Sequence, residues 1–150
     1  MKKIPTLIIS GFILLVAGTF LAGSIRAKSS TIVSKEGLHW HPRLEIVIRG
    51  EHYEIPADIG IGLHYAGMQT YSPSMRMTAM HTHEPDGIIH LEFSGRATKD
   101  DLRLKNFFTI WGKSPDEFGL LASVTINGKA TDRFLEYSLR DGDIIVMNYE

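Results

Sequence analysis

The chain has 150 residues, 43% of them hydrophobic and 22% charged, with a net charge of −1 and no cysteine. That length holds one domain with a core and is too short for two ordinary ones, and the composition is globular rather than disordered. The missing cysteine excludes disulfides, iron–sulfur clusters, thiolate zinc sites, thiol catalysis and a lipid-modified cysteine anchor.

The charge is unevenly placed. Residues 1–28 contain Lys2, Lys3, Arg26 and Lys28 and no acid, which leaves all 17 acidic residues to the rest of the chain. A net acidic domain argues against nucleic acid as a partner, because phosphate binding needs a basic surface. From Ile4 to Ala22 the sequence is almost wholly apolar. At about 1.5 Å rise per residue it would span roughly 28 Å as a helix, close to the thickness of a bilayer's hydrocarbon layer. Lys2 and Lys3 precede it, so the positive-inside rule keeps the N-terminus in the cytoplasm and exports the remainder of the chain. A cleavable signal peptide competes with this reading, since Ala22-Gly23-Ser24 offers small residues to a peptidase. Its apolar core should be shorter, and an uncleaved signal anchor over residues 1–26 is favoured. Either reading places the globular part on the periplasmic or extracellular side of the membrane.

Residues 27–37 are small and polar and read as a linker, with order expected from Leu38. His39-Trp40-His41-Pro42 leads into Leu44, Ile46 and Ile48, an alternation that predicts a strand. Arg49-Gly50-Glu51 should turn the chain, and His52 to Ile55 should return beside the first strand. Pro56 to Ser74, rich in glycine and proline, predicts a long loop with little regular structure. Met75 to His83 and Ile88 to Phe93 predict a hairpin closed by Glu84-Pro85-Asp86-Gly87. Thr98 with Asp101 has the spacing of a helix cap, and Leu104, Phe107, Phe108 and Trp111 form an amphipathic stripe that Gly112 is placed to end. Pro115 to Leu121 could add a helical turn. Val124-Thr125-Ile126 before Asn127-Gly128 predicts a strand entering a type I′ turn, and Ile144 to Tyr149 the last strand. Strand pairs, one helix and a further strand pair predict an α+β domain over 38–150, a mainly antiparallel sheet with one packed helix.

The hairpin carries the chemistry. Side chains two apart on a strand share a face, so His81 and His83 point the same way, and a four-residue loop sets His81 opposite His90 and His83 opposite Ile88. Opposed residues have Cβ atoms about 4.5–5.5 Å apart, close enough to share a metal ion. Imidazole is the commonest metal ligand side chain, and three leave a coordination position open. His39 and His41 repeat the spacing at the first strand. Met75 and Met77 would share the face of His81 and His83 in a regular strand, with Met80 on the other; thioether selects Cu(I) and imidazole suits copper or zinc. Methionines on one strand face are nonetheless more often fillers than ligands. His52 and His64 read as surface histidines, and Glu84 and Asp86 are explained by the turn. Glu92 shares the parity of His90 and could be a ligand, an orienter or a general base.

The closing segment, Val124 to Lys129 and Leu139-Arg140-Asp141-Gly142-Asp143 to Val146, resembles the end of β-grasp domains of the sulfur-carrier type. The chain ends Asn148-Tyr149-Glu150 without the terminal Gly-Gly of those carriers, so the resemblance implies a fold and not a carrier function. More broadly, His39-Trp40-His41-Pro42, the hairpin ending Ile55-Pro56-Ala57-Asp58-Ile59-Gly60-Ile61, the block from His81 to His90 and the run Leu104 to Gly112 resemble an uncharacterised family of membrane-anchored bacterial and archaeal proteins. That resemblance implies an intact exported domain with a histidine-centred site.

The sequence therefore leads to a membrane-tethered domain that binds a transition metal, copper before zinc or iron, through His81, His83 and His90, with His39 and His41 completing or flanking the site. Its partners would be the membrane and a membrane or periplasmic protein. The alternatives are a small metalloenzyme, in which Glu92 handles protons beside a His-ligated ion, and an interaction domain without metal.

Overall fold

The computed structural model describes residues 31–150. The expected membrane anchor lies outside the described residues, among which no helix is long and apolar enough to cross a membrane.

The strands, in chain order, are β1 (Ile32–Ser34), β2 (Leu38–Trp40), β3 (Arg43–Ile48), β4 (Glu51–Tyr53), β5 (Tyr71–Ser72), β6 (Met77–Thr78), β7 (Met80–His81), β8 (His90–Phe93) and β9 (Ala97–Thr98). The helix α1 (Leu104–Trp111) comes next, then β10 (Leu121–Ile126), β11 (Lys129–Ala130) and β12 (Ile144–Tyr149). This is an α+β domain. Its main sheet has the order β11-β10-β12-β3-β4, all pairs antiparallel except the central β12 and β3, which run parallel.

The period-2 pattern builds this sheet. Leu44 and Ile46 of β3 and Ile145, Met147 and Tyr149 of β12 are buried, while Ile144 and its neighbours of the other parity are more exposed. Against that inner face α1 lays Leu104, Phe107, Phe108 and Ile110, all buried. Trp111 is half-buried at the rim, where its ring meets Phe107, Phe118 and Tyr53 at 5.9, 5.5 and 6.3 Å. Gly112, with φ 72°, supplies the left-handed residue that ends the helix. Asn127 and Gly128, both with positive φ, close the β10–β11 hairpin as the sequence predicts.

Three segments differ from expectation. Part of the stretch read as a linker is a strand: β1 pairs with β9, and Val33 packs on the core, which gives these residues an apolar reason to be ordered. Thr98 and Asp101 do bond reciprocally (Thr98 N–H and Oγ1–H donate to Asp101 Oδ2 at 2.8 and 2.6 Å), but they close a turn, and α1 starts beyond it at Leu104. The long segment from Met75 to His83 is not one strand, because the chain changes partners. Met77 and Thr78 pair with β5, and Met80 and His81 pair with β8. Met75 consequently lies 45% exposed in a turn while Met80 is buried, so the strand face expected to join Met75 and Met77 to the histidines is interrupted.

Between β4 and α1 the chain inserts β7 and β8, which with β2 form a second sheet, ordered β2-β8-β7. The helix α1 also packs against β7, which ties this sheet to the main core.

Candidate metal centre

The small sheet divides its side chains by parity. Its registers are Leu38↔Phe93, His39↔Glu92 and Trp40↔Leu91 on one side, and Met80↔Leu91 and His81↔His90 on the other. Leu91 and Met80 are buried, and Leu38, Trp40 and Phe93 pack on the core. The opposite parity gives the other face His39, Glu92, His90 and His81, so one face anchors the sheet and the other gathers donors. His81 stands opposite His90, as the hairpin reading requires.

His83 does not pair with Ile88. Thr82 bonds instead to the loop before it, its N–H donating to Ile59 O at 3.0 Å and its O accepting from Asp58 N–H at 3.0 Å. Beyond the turn, Ile89 N–H donates to Pro42 O at 2.8 Å and Gly87 O accepts from Leu44 N–H at 2.9 Å. The hairpin end is therefore held by residues 42–44 and by the loop at residues 58–59, and His83 is left exposed beside His81. Gly87, with φ 77°, is needed here: a Cβ on it would collide with Leu44 O. Asp86 is a turn residue, its Oδ1 accepting from Ile88 N–H at 2.9 Å.

The distances suit metal binding. His81 Nε2 and His83 Nε2 are 3.2 Å apart, and His39 Nε2 and His41 Nε2 are 3.1 Å apart. Two nitrogens bound to one tetrahedral ion at about 2.0–2.1 Å are roughly 3.3 Å apart, so each pair already has the spacing of two ligands. Glu92 Oε1 lies 3.0 Å from His39 Nε2. Among the described residues, two groups of donors have ligand atoms all within 4.8 Å of one another, His81, His83, His90 and Glu92, and His39, His41 and His90. His52 and His64 stay outside both groups and are exposed, as expected of surface residues.

His81 is fully buried, and its Nδ1 lies 2.9 Å from Thr78 O. A carbonyl only accepts, so Nδ1 carries the proton and Nε2 presents its lone pair to the cluster. Outer hydrogen bonds of this kind fix the tautomer of metal-binding histidines. Burial lowers the His81 pKa, assisted by its His83 neighbour and opposed by the Thr78 carbonyl. Burial likewise pushes His90 down to about 4, with further repulsion from His83, His81 and His41. Both are neutral near neutrality, the state that binds metal. Asp141, named above only within the β-grasp-like closing segment, accepts from His41 N–H at 2.8 Å and sits 3.8 Å from His41 Nδ1. It holds His41 in place across a contact of long sequence separation, which no local pattern announces.

Beside the centre, Glu92 lines an open cavity of about 310 Å³ together with Met75, Met77 and Arg96. Comparison with family models, with curated proteins and with solved structures found no match to this chain.

Proposed function

We propose that this chain is a membrane-tethered domain on the extracytoplasmic side that binds a transition metal through its histidine cluster, for storage, sensing or handover. The observation that carries the reading is the convergence of five imidazoles and one carboxylate on and beside one sheet face, in two groups whose ligand atoms lie within 4.8 Å of one another. Copper is the favoured metal and zinc the second. The donors are imidazole and carboxylate without thiolate, a set that survives in an oxidising compartment, and Met75 and Met77 line the adjoining cavity, where soft sulfur could receive Cu(I). The tether would be the apolar segment from Ile4 to Ala22, holding the site near a membrane-bound donor or acceptor.

The strand order β4-β3-β12-β10-β11, with a parallel central pair and one helix, supports the β-grasp reading of the scaffold. The resemblance of the landmarks named above to those of membrane-anchored bacterial and archaeal proteins is the ground for proposing that the chain belongs with them.

The test is metal analysis of the full chain, purified in detergent without a histidine tag and loaded separately with Cu(I), Cu(II) and Zn(II). Near-stoichiometric metal is expected, and a large loss in His81→Ala/His83→Ala. No metal in the wild type, or unchanged binding in the double variant, would sink the proposal. A metalloenzyme is the second reading, favoured by the cavity that shares Glu92 with the cluster. A bound ion would supply Lewis acidity there, and Glu92 would move the proton. Ready release of metal to a chelator separates a carrier from such an enzyme, which should retain it.

A further inference from the structure

The six donors form two overlapping groups, and His90 alone belongs to both. Each group contains its own His-x-His pair at ligand spacing, His81 with His83 and His39 with His41. His90 lies between them: its ring contacts His83 at 4.6 Å, His41 at 4.9 Å, His81 at 5.5 Å and His39 at 6.1 Å. A second and independent feature concerns the same ring. His90 Nδ1 is buried and has no hydrogen-bond partner. Such a nitrogen is costly to leave unsatisfied, unlike His81 Nδ1, which the Thr78 carbonyl occupies. Glu92 stands 3.0 Å from His39 while belonging to the group of His81 and His83, so the carboxylate also spans the gap.

We infer that the cluster is a two-ion centre, in which His81, His83 and Glu92 hold one ion, His39 and His41 hold the other, and the His90 ring bridges them through its two nitrogens. The inference rests on the metal-binding reading of the same cluster and specifies it. The first ion takes the lone pair of one His90 nitrogen. Binding of the second displaces the proton from the other nitrogen to solvent, so that each ring nitrogen donates one electron pair and the bridge carries one negative charge. Two ions held by one bridging ring are electronically coupled, which separates this arrangement from two unrelated surface sites.

The experiment uses the full chain in detergent, without a tag, loaded with Cu(II) and freed of loose metal. Copper content is measured beside the double-integrated electron paramagnetic resonance signal. The expected result is two copper ions per chain with less than half the signal of two isolated spins. His39→Ala/His41→Ala, two exposed positions whose loss should not disturb folding, should hold one ion with a full one-spin signal; circular dichroism checks the fold. One ion per wild-type chain, or two ions giving two full independent spins, would overturn the bridged centre while leaving metal binding intact. An empty wild-type protein would overturn the metal-binding reading itself and this centre with it.

Discussion

The five-stranded sheet and the three-stranded histidine sheet obey the same alternation and use it for opposite ends. In the larger sheet the inner parity is closed by α1, so that Leu44, Ile46, Ile145, Met147 and Phe107 are all within 1% of full burial. In the smaller sheet one parity is just as apolar, with Leu91 and Met80 in the core, but the other carries imidazoles and a carboxylate, beside which His39, His41 and His83 are exposed. The first region is stabilised by its contacts. The second keeps a buried histidine, whose Nδ1 the Thr78 carbonyl occupies, and a buried His90 nitrogen without a hydrogen-bond partner, which costs stability unless a ligand satisfies it. Scaffold and site are thus separable, and substitutions should affect one without the other.

Phe107→Ala should have the largest effect, because it removes a fully buried ring from between helix and sheet. A loss of about 3–5 kcal/mol is expected from denaturant unfolding, with the metal content of the protein that remains folded unchanged. If metal content instead falls in step with a modest stability change, the two regions are coupled.

Gly60→Ala tests the boundary between them. Gly60 has φ 80°, and a Cβ there would lie 2.6 Å from Met80 O and 3.1 Å from His81 Cβ. The substitution should cost about 1–3 kcal/mol and push β7 out of place, weakening metal binding as well. Unchanged metal affinity would show that β7 does not need this packing to present His81.

The metal-free protein should lose stability in acid. His90 is held at about 4 in the folded protein, against about 6.5 for an ordinary histidine. Between these values the unfolded chain binds the extra proton, so stability is complete above about pH 6.5 and falls as pH is lowered toward 4. His81, shifted in the same direction, adds to the slope. Denaturation midpoints near pH 7 and pH 4.5 measure the loss, and His90→Ala should flatten it. Equal midpoints in the wild type would contradict a neutral His90 in the folded protein.

His83→Ala should move stability least, within about 0.5 kcal/mol, since the side chain is exposed. Metal affinity should nonetheless fall by more than the roughly 10–100-fold that loss of an outer hydrogen-bonding partner costs. Calorimetric titration beside thermal unfolding reads both effects. Parallel small changes would mean that His83 is only a surface residue.

Local periodicity carried much of this architecture. β12 spans Ile144–Tyr149 as its alternation indicates, α1 buries the Leu104–Phe107–Phe108 stripe, and Gly112 ends it. The His81↔His90 register was legible from the alternation of the two segments, although the His83↔Ile88 pair expected beside it does not form. What escaped were pairings between distant segments. Nothing near Ile32 announces that β1 will find β9, and nothing near Thr82 says that its backbone will bond to Asp58 and Ile59 rather than across the hairpin. The break after Thr78 has the same origin: β5 claims one half of the segment and β8 the other. The candidate site was likewise legible as residue types and only half legible as geometry, because β2 meets β8 through long-range pairing that sets His39 beside Glu92.

X-ray absorption at the copper edge of the loaded full chain tests the central claim most directly. The account predicts a shell of nitrogen and oxygen at about 2.0 Å with the outer-shell scattering of several imidazoles, weakened in total amplitude in His81→Ala/His83→Ala. A spectrum without imidazole scattering, or one that the double substitution leaves unchanged, would contradict it.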